Sequence, residues 1–271
     1  MAKIHATAVV ADGAQLDDSV EVGPLCVIGP NVKIGAGTKL IAQCHIGGHT
    51  TIGENNTFYP FSAVGMEGQD FHADEKLVSF VRIGNNNIFR EGSTVHRGTA
   101  ENTETVIGNG CMLMSGAHAA HNVRIGNNVV MVNNAVVGGY GEIDDNVILS
   151  GNTAVHQFCR MGKFSMMSGG SAYSKDIPPY MIAAGRNSGV EMINLVGLKR
   201  NGFSKEAIQA IRDIFRIFYC SELSLSNALE KIKSELPPLP EVMEFVRFCE
   251  SSKRGVVSRR YSNKDNHQFL K

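Results

Sequence analysis

Residues 20–53 read VEVGPLCVIGPNVKIGAGTKLIAQCHIGGHTTIG, with an aliphatic residue at every sixth position: Val22, Ile28, Ile34, Leu40, Ile46 and Ile52. Stepping backward by six reaches Leu16, Val10 and Ile4; stepping forward reaches Phe58 and Val64. Eleven consecutive apolar hits in a chain that is 43% apolar are not a composition effect. The step is lost across residues 65–82, resumes at Ile83, Phe89 and Val95, and lapses at Glu101. It runs again from Ile107 through Leu113, Ala119, Ile125, Met131, Val137, Ile143, Leu149, Val155 and Met161 to Met167. Two residues before the slot the side chain is nearly always small, as at Cys26, Thr38, Cys44, Cys111, Ala117, Ala135 and Cys159. One residue after it glycine recurs, as at Gly23, Gly29, Gly35 and Gly53, read here as a turn position.

A helix needs a period of about 3.6 and an ordinary strand a period of about 2, and neither sustains a period of six. Short strands joined by turns fit it. One such strand cannot bury its apolar side alone, but stacked coils share a continuous core. The pattern resembles the hexapeptide-repeat family. That resemblance implies a left-handed parallel β-helix with about 18 residues per coil. The expected fold is therefore mainly β with an α C-terminal region. Cys26, Cys44, Cys111 and Cys159 occupy the small inward column and should be buried packing groups. Cys220 and Cys249 fall in helical pattern and are expected to be the same.

The two breaks, near 65–82 and 97–106, are polar excursions from a rigid stack, where binding residues collect. After Asp176-Ile177-Pro178-Pro179-Tyr180 the period is gone. Helices are expected over 204–219, with Ser204 as N-cap, and over 224–236 and 240–250. The organisation read from this is a β-helix over 1–189 carrying both insertions, then a helical region over 190–271. Its tail, from Ser251, is basic and expected to fray.

The chain has 271 residues, with 26 Lys+Arg against 26 Asp+Glu. Zero net charge argues against nucleic acid or an anionic membrane as partner. There is no apolar run long enough for a membrane span and no signal-like N-terminus, so a cytoplasmic location without stable membrane insertion is expected. Zero overall hides a balance of −4 over 1–189 and +4 over 190–271, which suits either a solvated helical surface or an acidic partner.

Seven of nine histidines lie between positions 45 and 156. The register places His45, His96, His118, His121 and His156 at outward or turn positions. His118 and His121 flank an alanine slot in SGAHAAHNV. Moving by whole coils, Gly139 and then Gln157 follow His121 along one edge, with Gly138 and Tyr140 beside them. Gln157 should lie about 10 Å along the same face as His121. This describes a groove with an open middle. An imidazole of pKa about 6.5 is suited to removing a proton from a hydroxyl. With the cysteines inward and no paired serine, a base-activated substrate attacking directly fits better than a covalent enzyme intermediate. A plain surface histidine is the competing reading.

Several stretches taken in order are similar to the UDP-N-acetylglucosamine O-acyltransferases of lipid A synthesis. They are QDF (69–71), VHRGT from Val95, AHAAHNV (117–123), NTAVHQFC (152–159), DIPPY (176–180) and NLVGLKRNGF (194–203). The resemblance implies a homotrimer with sites between subunits, and (R)-3-hydroxyacyl transfer from acyl carrier protein to the sugar 3-position of UDP-N-acetylglucosamine. It implies no cofactor beyond the carrier's phosphopantetheine, and no metal. His121 matches the general base and Gly139 the oxyanion amide. His118, His156 and Gln157 match substrate contacts, Gln69 and Asp70 sugar contacts, and Asn194 and Arg200 nucleotide contacts. Gly169 matches the residue that closes the acyl pocket, and as glycine it leaves room for a longer chain. The basic C-terminal region fits an acidic carrier protein.

The chain departs from the family pattern at Asn122 (commonly aspartate), Tyr140 (histidine), His72 (lysine), Val196 (glutamate) and Asn201 (arginine). Asn122 still accepts a hydrogen bond from the imidazole but supplies no charge. Three other readings compete. One is an acyltransferase acting on a 3-amino nucleotide sugar. The second is a non-catalytic solenoid that binds nucleotide sugar. The third is a zinc site of His96, His118 and His121, disfavoured by the short second spacing.

Overall fold

The structure is a computed structural model that describes residues 1–70, 76–186 and 188–259. Its strands form three sheets of eleven, nine and eight members, almost all parallel. The first face starts at Lys3–Ile4, the second at Val9–Val10 and the third at Gln15–Leu16, and the chain visits them in rotation. Each strand pairs with the one a coil later: Ile4 with Val22, Val10 with Ile28, Leu16 with Ile34. The body is thus a triangular prism with three corners, each a column of stacked turns.

The period of six is the inward column. Val22, Ile28, Ile34, Leu40, Ile46, Ile52, Phe58 and Val64 are at most 3% exposed. Burying each such side chain contributes about 1.5–3 kcal/mol. Phe58 and Phe89 stack in the middle of the column at 4.5 Å. The same slot is open in the first coil, where Ile4 is 48% exposed because no coil lies beneath it. Cys26, Cys44, Cys111 and Cys159 are buried, as their column requires.

The glycine after each slot has a different cause from the turn role expected of it. Gly23, Gly35 and Gly53 do not have left-handed backbone. A Cβ on Gly23 would lie 1.8 Å from the Ile41 carbonyl oxygen, and one on Gly35 2.8 Å from Gly53. Backbone stacks on backbone there, so any side chain would wedge the coils apart. The left-handed residue falls two positions later, where Asn55, Asn86, Asn128, Asn146 and Asn152 have φ between 55° and 59°.

Both insertions leave the prism at one corner. The first joins the second-face strand Ala63–Met66 to the third-face strand Phe80–Ile83; the second joins Thr94–His96 to Glu104–Ile107. They bind each other: Arg97 donates to the Leu77 carbonyl at 3.1 Å and pairs with Glu67 at 3.2 Å, and Ser79 Oγ donates to the Gly98 carbonyl at 2.6 Å.

Beyond the coils, Met181–Ala183 adds to the first face and Val190–Ile193 closes it as an antiparallel edge. Four helices follow: α1 (Leu195–Arg200), α2 (Lys205–Tyr219), α3 (Leu225–Glu235) and α4 (Pro240–Glu250). The last three occupy the expected ranges, and Ser204 caps α2 by accepting from Ala207 N–H at 3.0 Å. Cys220 is exposed, against expectation, because the helical face turns outward where α2 ends.

The segment after α4 does not fray over its described part. Val257 is 4% exposed and its N–H donates to the Asp176 carbonyl at 2.9 Å. Ser252 Oγ donates to the Asp176 carboxylate at 2.8 Å, and Arg160 pairs with that carboxylate at 3.2 Å. Arg160 also donates to the Phe248 carbonyl at 3.0 Å, so this knot ties the end of α4 to the solenoid. No described helix is long and apolar enough to cross a membrane.

Candidate active site

The turn between second and third faces that holds the insertions also holds His121. His118 and Ala119 form the second-face strand, Arg124 and Ile125 the third-face strand, and His121 and Asn122 round the corner between them. One coil on, the same corner carries Gly139 and Tyr140; another coil on, Gln157 and Phe158. Tyr140 N–H donates to the His121 carbonyl at 3.1 Å and Phe158 N–H to the Gly139 carbonyl at 3.0 Å, which fixes this column.

The imidazole of His121 is held on its Nδ1 side. Asn122 Oδ1 lies 3.0 Å from Nδ1 and Thr99 Oγ1 lies 3.3 Å from it. Thr99 also donates to Asn122 Oδ1 through both its hydroxyl and its N–H, each at 3.1 Å. An Asn122 N–H to Thr105 Oγ1 bond at 2.8 Å fixes the backbone. On the opposite side the ring lies against Gly139, where a Cβ would be 2.5 Å from Cε1 and 2.6 Å from Nε2. Gly68, from the first insertion, is also tightly placed: a Cβ there would lie 2.4 Å from Thr99 Cγ2 and 3.0 Å from the His121 Cβ. The edge of the ring that carries Nε2 therefore lies where only glycine at 139 leaves it room. The Gly139 N–H has no backbone acceptor among the described residues.

The neighbouring histidines are arranged to stay neutral. His118 accepts from or donates to Thr94 Oγ1 at 2.7 Å, and burial pushes its pKa down to about 4, with the His96 and His121 charges adding to the effect. His96, expected at an outward position, is only 7% exposed. Its strand runs one residue beyond the corner and pairs with Met66, and the first insertion covers it. Burial holds its pKa low as well. The His96 and His118 rings meet edge to face at 5.0 Å. Among the described residues no three His, Cys, Asp or Glu side chains converge to hold a metal.

Tyr140 meets His121 edge to face at 5.4 Å and stacks on Phe158 at 4.9 Å. Both aromatics have left-handed backbone, φ 59° and 63°, a strained conformation for a bulky residue. Beside them is a groove of about 500 Å³, lined also by Arg124, Arg160, Lys253 and Arg254.

The other expected residues are spread out. His156 and Gln157 are exposed on the His121 column, two coils along, as the spacing implied. Gln69 and Asp70 are exposed just beyond Gly68; His72 lies outside the described residues. Gly169 is at the first-to-second corner, where a Cβ would meet the Gly151 carbonyl at an ordinary 3.5 Å. Asn194 caps α1: its Oδ1 accepts from Gly197 N–H at 3.1 Å and its Nδ2 donates to the Phe164 carbonyl at 2.9 Å. Arg200 is exposed at the end of α1. A single chain thus assembles His121, Asn122, Gly139 and Tyr140, but leaves Gly169, Asn194 and Arg200 at other corners. Sequence reasoning did not find Thr99 or Gly68. Thr99 stands in the VHRGT run, but its role depends on an insertion folding back onto another coil.

The chain matches two family models: bacterial transferase hexapeptide (six repeats) over 104–139, and UDP N-acetylglucosamine O-acyltransferase, domain 2, over 176–257. An acyl-[acyl-carrier-protein]–UDP-N-acetylglucosamine O-acyltransferase of Thermodesulfovibrio yellowstonii is 41% identical over 94% of this chain and 99% of its own. One of the same name from Syntrophobacter fumaroxidans is 44% identical over the same shares. Among solved structures, the UDP-N-acetylglucosamine acyltransferase of Francisella novicida superposes with TM-score 0.91 at 36% identity, covering 98% of this chain and 97% of that one. That of Bacteroides fragilis superposes with TM-score 0.89 at 40% identity, covering 94% and 99%. The prism is the left-handed β-helix of these proteins, and the chain belongs to the UDP-N-acetylglucosamine O-acyltransferase family.

Proposed function

We propose that the protein transfers an (R)-3-hydroxyacyl group from acyl carrier protein to the 3-hydroxyl of UDP-N-acetylglucosamine, the first step of lipid A synthesis. The observation that carries this is the His121 ring, pinned at Nδ1 by Asn122 and with Nε2 lying against Gly139. With Nδ1 protonated and donating to Asn122, Nε2 is free to take the proton of the sugar hydroxyl. The oxygen attacks the thioester carbonyl. The Gly139 N–H would stabilise the developing oxyanion. Collapse of the tetrahedral intermediate expels the phosphopantetheine thiolate, which recovers the proton from the imidazolium. His118 and His96, kept neutral by burial, put no competing positive charge beside it.

The remaining parts require a neighbour. In a homotrimer, Asn194 and Arg200 of one chain would reach the nucleotide beside His121 of another, and Gly169 would border the acyl chain. The acyl group arrives on the carrier protein's phosphopantetheine, no other cofactor is needed, and the carrier places the reaction in the cytoplasm. The test is to incubate the protein with (R)-3-hydroxyacyl carrier proteins of graded length and UDP-N-acetylglucosamine or its 3-amino analogue. Product is read by mass spectrometry. We expect acylated UDP-N-acetylglucosamine from the wild type and none from His121→Ala. No product with either acceptor from a folded trimer would refute the reading.

A further inference from the structure

Resting on that reading, we infer that Thr99 is a positioning residue that fixes the Asn122 amide so that its oxygen, not its nitrogen, faces His121. An asparagine beside a catalytic histidine carries an ambiguity that an aspartate does not. Turned one way, its Oδ1 accepts from Nδ1–H and leaves Nε2 as the base. Turned the other way, its NH2 donates to Nδ1, which must then be the unprotonated nitrogen, and the proton sits on Nε2. In that tautomer the ring cannot take a proton from the substrate.

Three donors converge on Asn122 Oδ1: the Thr99 N–H at 3.1 Å, the Thr99 hydroxyl at 3.1 Å and His121 Nδ1 at 3.0 Å. The first two come from the second insertion, and the backbone N–H can only donate, so it has no partner in an NH2 group. Flipping the amide would set that N–H against a donor in a half-buried corner and would force the Thr99 hydroxyl to turn from donor to acceptor. Thr99 is itself held in place. Its Cγ2 packs against Gly68, where a Cβ would come within 2.4 Å. Arg97, two residues earlier, is 7% exposed and ties the insertion to Glu67 and Leu77. The two insertions thus act on the chemistry through one hydroxyl and one amide, both directed at Asn122.

The test combines steady-state kinetics with the tautomer of His121, read from the 15N shifts and two-bond couplings of ring-labelled histidine assigned by His121→Gln. The wild type should show the Nδ1–H tautomer. Thr99→Val keeps the shape, the N–H bond and the fold but removes the hydroxyl. It should lower kcat about fivefold, the equivalent of one hydrogen bond, and leave KM for both substrates unchanged. It should also show a mixed tautomer, and Thr99→Ser should restore both readouts. Asn122→Leu, which removes the acceptor, should lower kcat at least about a hundredfold. The inference is overturned if the wild type is Nε2–H, or if Thr99→Val changes neither tautomer nor kcat. A fall in activity with wild-type tautomer and raised KM would also overturn it. If no variant turns over, wild type included, the functional reading falls, and the tautomer comparison still decides this one.

Discussion

Gly139→Ala adds one methyl group to the wall facing the catalytic nitrogen. Gly139 is not in the left-handed region, so alanine suits its backbone and the fold should tolerate the change. The new Cβ, however, would sit 2.5 Å from His121 Cε1 and 2.6 Å from Nε2, where ordinary contact begins at 3.4 Å. The ring must retreat by about 0.9 Å. Nδ1, 3.2 Å from the same Cβ, is held by Asn122 at 3.0 Å, so retreat either breaks that bond or displaces Nε2. A misplacement of about 1 Å costs on the order of a hundredfold in rate. We expect kcat/KM for acyl transfer to fall by that factor, with the unfolding free energy lowered by no more than the loss of one hydrogen bond, about 1 kcal/mol. The assay is single-substrate variation of UDP-N-acetylglucosamine at saturating acyl carrier protein. Undiminished kcat/KM in Gly139→Ala would refute the placement of the base against this wall.

Three further outcomes follow from the same geometry. Asp176→Asn removes a carboxylate that is 1% exposed and binds Arg160 and Ser252; breaking a buried pair should cost about 3 kcal/mol, read by urea unfolding, and should open the segment after α4 to protease. Asp144 has its pKa raised from 3.8 to about 6, first by burial and then by Glu244. The charged form is therefore disfavoured in the fold, a penalty absent below 3.8 and complete above about 6. Asp144→Asn should raise the unfolding midpoint in mildly alkaline buffer and leave it unchanged near pH 3.8, as calorimetry at both values would show. Gly169→Leu has space at its Cβ, 3.5 Å from the Gly151 carbonyl, so it should fold normally. If Gly169 borders the acyl chain, competition between donors should shift toward shorter chains, by about fourfold per methylene excluded.

The inward column was legible in the sequence because one geometric constraint repeats every coil and each repeat shows in residue type. The corner shared by His121, Gly139 and Gln157 was legible for the same reason, since a fixed coil length makes spatial neighbours computable from number alone. What the spacing could not show is whatever crosses between coils irregularly. His96 sits at an outward register, yet an insertion covers it; the covering depends on how residues after Met66 fold, which no period encodes. Thr99 reached Asn122 by the same route. The glycines after each slot were visible, but their cause was not: a turn dihedral and a backbone-to-backbone contact select the same residue. The segment after α4 looked like a tail because it is basic and lacks periodicity, while its attachment rests on one buried carboxylate, Asp176, about eighty residues upstream.

That attachment has a consequence for synthesis. Coils of the prism stack on their predecessors, so the solenoid can be completed in order as the chain leaves the ribosome. The partner of Ser252 and Val257 is already in place by then, but the knot cannot close until those two residues have been translated. A message cut short or frameshifted just after α4 would yield a product with a complete solenoid and an unfastened helical end. Cellular proteases could tell such a product from the intact protein by its loose helical end.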